Sequence, residues 1–185
     1  MASSKRDQLI DTAEQLFYRE GYHATGIDRI LSESGVAKMT LYKHFKSKDE
    51  LILAVLEARQ RAMLERLHQR AARLPPREAL LGMFDGLHGM IGGGTFCGCL
   101  FINAAAEYHA HDHPIHRRSA AYKAELRDYL CELLERLEAP HPQRLARQLQ
   151  YLVEGALSMA HIDGPGEQAL EARAAAEVLL EAAGV

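Results

Sequence analysis

Apolar residues recur three and four positions apart along most of the chain, and no run of β-branched residues alternates strictly with polar ones. The pattern therefore predicts helices rather than strands. A first helix is expected over about residues 5–20, where Leu9, Ile10, Ala13, Leu16 and Phe17 share a face and Gly21 stands at the stop position. Thr25, with Asp28 three residues on, offers an N-cap for a second helix that carries Ile27, Ile30 and Leu31 on one face. Gly35 ends that helix, and Val36 can pack inward at the turn. A short third helix is expected over about residues 37–45, with Leu41 and Phe45 toward the core. Ser47 and Glu50, directly before Leu51, Ile52, Val55 and Leu56, form the clearest start signal; the long helix they open should stop before Pro75-Pro76.

The remainder reads as further helices. They are expected over about residues 77–90 (ended by Gly92-Gly93-Gly94), 99–108, from Pro114 to near Pro140, from Pro142 to about His161, and over about 167–183. The fold class is therefore all-α: a three-helix N-terminal unit, then a bundle of five or six helices, with expected domains 1–48 and 49–185.

With 48% hydrophobic residues in a chain of 185, there is enough apolar material for a sizeable core. The net charge of −3 does not by itself point to nucleic acid, and its distribution is only modestly uneven, which suits either noise or a nucleic-acid reader at the positive end: residues 1–48 carry eight Lys/Arg against six Asp/Glu, and residues 49–185 fourteen against nineteen. The positive end coincides with the small N-terminal unit. The start, MASSKRDQLI, lacks the apolar core of a signal peptide, and no apolar stretch is long enough to span a bilayer. Cys97, Cys99 and Cys131 are too sparse for a disulfide framework, so a cytoplasmic location is expected.

Residues 25–48, TGIDRILSESGVAKMTLYKHFKSK, combine a helix, a tight turn and a second helix with basic and hydroxyl side chains. That arrangement places a short helix in the major groove of DNA. Lys38, Met39, Thr40, Tyr42, Lys43 and His44 should occupy the faces not used by Leu41 and Phe45. Lysines there reach phosphate or guanine, a threonine reaches phosphate or a thymine methyl, and Lys46 and Lys48 flank the next helix start. The alternative is a helical hairpin that merely packs and turns a solvated face outward.

The stretch from Leu16 to Leu51, LFYREGYHATGIDRILSESGVAKMTLYKHFKSKDEL, resembles the tetracycline-repressor (TetR) family of bacterial regulators. That resemblance implies a helical reader followed by a divergent all-helical body that binds a small effector and forms a homodimer. It implies phosphate contacts for Thr25, Thr40, Tyr42 and Lys48, and places Lys38, Met39, Lys43 and His44 nearest the bases. Ala37 departs from the pattern, because many members carry a hydroxyl N-cap there. The resemblance also assigns the dimer face to the last two helices, with Val153, Leu157, Leu179 and Leu180 as apolar anchors.

In the body, Asn103 and the following Ala104-Ala105-Ala106 lie in an apolar run, where small residues leave space or permit close packing. Phe84, His88, Phe96, Phe101, Asn103, Tyr122, Tyr151 and Glu154 are the candidate effector-binding residues. Cys97-Gly98-Cys99 is too tightly spaced for a zinc knuckle; it suits a redox or electrophile sensor, or two small buried apolar residues. His109, His111, His113 and His116, with Glu107 and Asp112, are either a transition-metal cluster, and so a remote route to a metal-dependent hydrolase, or a solvated loop. The expected function is a ligand-responsive transcriptional repressor, not an enzyme and without a cofactor. Its expected partners are double-stranded operator DNA, a second copy of the chain and a small-molecule effector; no membrane is expected.

Overall fold

The computed structural model describes residues 4–185 and is helical, with elements α1 (Lys5–Glu20), α2 (Ile27–Ser34), α3 (Lys38–His44), α4 (Lys48–Ala71), α5 (Pro76–Ile91), α6 (Leu100–Glu107), α7 (Pro114–Arg136), α8 (Pro142–Asp163) and α9 (Gln168–Ala182). Each helix lies within one or two residues of its expected position, except the C-terminal end of α7. That helix stops at Arg136, and the connection to α8 carries left-handed backbone at Glu138 and His141.

The chain divides into two compact units. The first runs to Ala62 and takes in Leu100–Tyr122; the second holds Met63–Cys99 and Lys123–Val185. The expected division at residue 48 thus falls inside the first unit.

In the first unit, α1 is opened by a capping box: the Ser4 hydroxyl accepts the Asp7 N–H while the Asp7 carboxylate accepts the Ser4 N–H. Its inward face, Leu9, Ile10, Ala13, Leu16 and Phe17, is buried, and α2 and α3 pack against it through Ile30, Leu41 and Phe45. Leu51, Ile52, Val55 and Leu56 on α4 are fully buried, and Arg59 reaches Glu14 of α1 at 3.1 Å. Each such side chain removed from water stabilises the unit by about 1.5–3 kcal/mol. Two cap details differ from expectation. Gly26, not Thr25, is the N-cap of α2, with no side-chain bond. Ser47 does cap α4 through the Glu50 N–H, but the Glu50 carboxylate reaches the N–H of Lys46 rather than that of Ser47.

In the second unit, α5, α8 and α9 pack on one another. The core joins Leu80, Phe84 and Ile91 of α5 to Leu130 and Leu134 of α7, Leu149 and Val153 of α8, and Leu180 of α9. Ala146, Ala156 and Ala160 on α8 and Ala169, Ala172 and Ala176 on α9 also face inward, and their small size lets the two helices approach closely. Among the described residues, no helix is long and apolar enough to cross a membrane.

Candidate nucleic-acid interface

The interface is built on α3, a helix of seven residues. A peptide this short does not hold helical structure alone, so its form and aim depend on packing. Leu41 and Phe45 are buried, 0% and 3% exposed. The opposite side carries Lys38, Met39, Tyr42, Lys43 and His44, all exposed, with Thr40 half-buried. Met39 is 83% exposed, the largest value among the large apolar side chains of the described residues. An apolar group held in water at the tip of a basic helix is suited to a thymine methyl. The turn before α3 is rigid for local reasons. Gly35 takes the left-handed conformation, φ 64, that favours glycine; Val36 is buried, and the Gln8 side chain ties the Ser34 carbonyl to α1 at 2.8 Å. Ala37 opens α3 without a side-chain cap, as its departure from the family pattern implies.

Two residues expected at phosphates are otherwise engaged. Thr25 is fully buried, and its hydroxyl donates to the Gly21 carbonyl at 2.7 Å. Its role in this structure is to close the α1–α2 turn. Lys48 is half-buried, and its Nζ donates to the His23 carbonyl at 3.3 Å. Burial pushes its pKa down, against the opposing pull of Glu107 and Asp49. Lys38 lies 3.3 Å from Asp28 in an exposed pair, a contact too weak to compete with a phosphate. Lys43, on the exposed face of α3, is therefore the better test of phosphate contact. Lys43→Ala should weaken binding on any duplex and flatten the plot of log affinity against log salt by about one unit. An unchanged slope in fluorescence anisotropy titrations would remove Lys43 from the contact surface.

The segment from α6 into α7 belongs to the same unit and meets the α1–α2 turn. Glu107, the last residue of α6, accepts the Tyr22 N–H at 2.7 Å and the His23 N–H at 2.6 Å, and its Oε2 lies 2.9 Å from His23 Nδ1. Burial raises its pKa, but these donors outweigh burial and hold it below the ordinary glutamate value. Tyr108 stacks between His23 and His113, and burial together with the Asp49 and Glu107 carboxylates pushes its pKa up to about 12. Sequence reasoning placed Glu107 only in a metal cluster. Its distance in sequence from Tyr22 left no signal of this contact.

The candidate effector residues are divided between the units. Phe101 and Tyr122, in the first, are buried and stacked at 3.9 Å, and Asn103 is half-buried. In the second, Phe84 is buried, His88 and Phe96 are half-buried, and Glu154 accepts both of its bonds from Lys123 Nζ at 2.7 and 2.8 Å. Tyr151 is 67% exposed, on the side of α8 opposite Val153 and Leu157. The expected anchors Val153, Leu157 and Leu180 are buried in the second unit's own core, and Leu179 packs against that core. The exposed large apolar residues of α8 and α9 are Tyr151, Met159, Ile162 and Val178.

Cys97 and Cys99 are half-buried, and Lys123 Nζ lies 3.4 Å from Cys99 Sγ. The histidines do not converge. His109 turns to the Ala106 carbonyl, His111 pairs with His116 at 3.0 Å, and His113 lies 3.7 Å from Asp49. Among the described residues no three His, Cys, Asp or Glu are placed to hold a metal.

A buried scaffold presenting a short basic helix across a tight turn defines a helix-turn-helix DNA-binding protein. A family model for bacterial regulatory proteins of the tetR family matches residues 9–55. The crystal structure of a TetR-family transcriptional regulator from Streptomyces coelicolor superposes with a TM-score of 0.92 at 31% identity, covering 98% of this chain and 96% of that one. A putative TetR transcriptional regulator from Streptomyces avermitilis gives 0.85 at 30% identity, covering 99% and 100%. The chain belongs to the TetR family of transcriptional regulators. The curated relatives match over part of their length: the chain spans about a quarter of FasR and about two fifths of TcmR. The transcriptional activator FasR of Mycolicibacterium smegmatis is 51% identical over 53 residues, 29% of this chain and 24% of FasR. The regulator TcmR of Streptomyces glaucescens is 36% identical over 93 residues, 50% of this chain and 41% of TcmR.

Proposed function

We propose that the protein is a ligand-responsive repressor that binds a palindromic operator as a homodimer and is released by a small effector. The observation that carries the DNA-reading part is the outward face of α3, where Met39, Tyr42, Lys43 and His44 stand exposed around a buried Leu41. The second copy is supported by α8 and α9. Tyr151, Met159 and Ile162 recur along the face of α8 turned away from the core, and α9 adds Val178 beside exposed Ala174 and Ala175. A two-fold pair would set two reader helices about 34 Å apart, one turn of DNA. Effector recognition is supported by the half-buried Lys123–Glu154 pair, a charged anchor among apolar helices of the second unit. Repression is the family's expectation. FasR, alike over 29% of this chain, is named an activator. Action on DNA implies a cytoplasmic protein.

Fluorescence anisotropy on duplexes flanking the protein's own gene, with scrambled duplexes as control, tests this reading. Preferential binding that small-molecule screening can reverse is the expected result. Equal affinity for flanking and scrambled duplexes, and for duplexes selected from a random pool, would replace it with an architectural role. A thiol-sensing variant is favoured by one contact, Lys123 on Cys99. It requires that mild peroxide release the DNA and that Cys99→Ser abolish the release.

A further inference from the structure

The reader's attachment to α6 goes beyond the DNA-contact surface. Three elements of the first unit converge on Tyr22 and His23, near the start of the α1–α2 turn. Tyr22 is fully buried; its N–H is held by Glu107 at one end of α6, and its hydroxyl donates to the Leu100 carbonyl at the other, 2.9 Å away. Tyr22 therefore lies along the length of α6, stacked on Phe17 of α1 at 5.1 Å. His23 has its N–H and ring on Glu107 and its carbonyl on Lys48 at the start of α4. α2 begins only four residues later, at Ile27, and leads through the Gly35 turn into α3. Gly21 completes the fit: its φ of +88 suits glycine, and a Cβ there would lie 3.2 Å from Glu107 Oε1.

One carboxylate thus satisfies two backbone donors and a ring of the same turn. Charge-assisted bonds of this kind are shorter and stronger than neutral ones. We infer that Glu107 is a positioning residue of the DNA reader: it fixes the α1–α2 turn to the end of α6, and with it the aim of the recognition helix. α6 is then a working part of the reading head, although it lies about fifty residues beyond the helix-turn-helix motif. The inference rests on the DNA-reading function and not on the effector.

A reader released from the latch spends less of its time in the binding geometry, and apparent affinity falls by that fraction. The test uses the full chain and a duplex that the wild type selects from a random-sequence pool. Amide hydrogen exchange at Tyr22 and His23 and the dissociation constant are measured at 15 °C for wild type, Glu107→Gln and Glu107→Ala. Glu107→Ala should speed exchange at both amides at least tenfold and weaken binding about tenfold. Glu107→Gln, which keeps the size and one acceptor oxygen, should fall between. Circular dichroism should show all three fully folded at that temperature, where a merely structural role leaves affinity unmoved. If Glu107→Ala fails to fold, Glu107→Gln decides alone. Faster exchange with unchanged affinity would overturn the positioning role, and unchanged exchange would overturn the latch itself. A wild type that selects no duplex would instead overturn the DNA-reading function.

Discussion

Tyr151→Glu combined with Ile162→Glu should convert the protein into a folded monomer and weaken its binding to a palindromic duplex about 10²–10⁴-fold. Both side chains stand mainly in water, 67% and 73% exposed, so the single chain loses little by the exchange. Surface substitutions of this kind change stability by about 0.5 kcal/mol or less, and glutamate is a good helix former. In the proposed dimer the same positions are covered. Burying an apolar side chain of this size is worth about 1.5–3 kcal/mol, and a two-fold interface counts each position twice. Four glutamates would then face a symmetric copy of themselves without partners, which adds a desolvation cost to the lost burial. The two readers would be uncoupled, and each would bind its half-site alone. Light scattering at the mass of one chain, with unchanged circular dichroism, is the expected reading. A persistent dimer with unaltered operator affinity would move the interface off α8 and α9.

The same two helices mark the limit of what the sequence discloses. Apolar periodicity located both of them, because residues three and four apart line one side of a helix. It did not say which of two apolar faces was the inner one. Val153, Leu157 and Leu180 are the anchors that the family resemblance implies, yet the chain's own core takes them. The residues left outside, Tyr151, Ile162 and Val178, are apolar as well, and only coordinates separate the two sets. The reader was legible for the opposite reason. Leu41 and Phe45 are the apolar residues at helical spacing on a short element, so every basic and hydroxyl neighbour had to face away. Thr25 misled because threonine before a helix is a common cap; here one residue's shift of the cap to Gly26 turns its hydroxyl back onto Gly21. Glu107 was illegible in its present role, since no local pattern connects it to amides some 85 residues earlier. The histidines between His109 and His116 were read as a possible cluster because they are close in sequence. Backbone carbonyls, Asp49 and each other take up their ring nitrogens instead.

Leu41→Ala should destabilise the reader by about 2–5 kcal/mol and weaken binding to a selected duplex by at least about tenfold, while leaving the oligomeric state intact. Leu41 is the buried residue within α3, fully removed from water, and alanine there keeps helix propensity, so the loss is one of packing. A cost of that size is a large share of the roughly 5–15 kcal/mol that holds a domain folded. The helix it anchors is too short to persist without tertiary support. Met39→Ala, two residues earlier and 83% exposed, supplies the contrast. It should leave the melting temperature unchanged and alter affinity only on duplexes whose contacted base carries a methyl group, by about 1 kcal/mol. Thermal melts and anisotropy on the two variants therefore separate folding from reading on opposite faces of one helix. Equal stability of Leu41→Ala and wild type would mean that Phe45 alone holds α3 in place. A loss of stability in Met39→Ala would mean that the tip of α3 is packed and not presented to DNA.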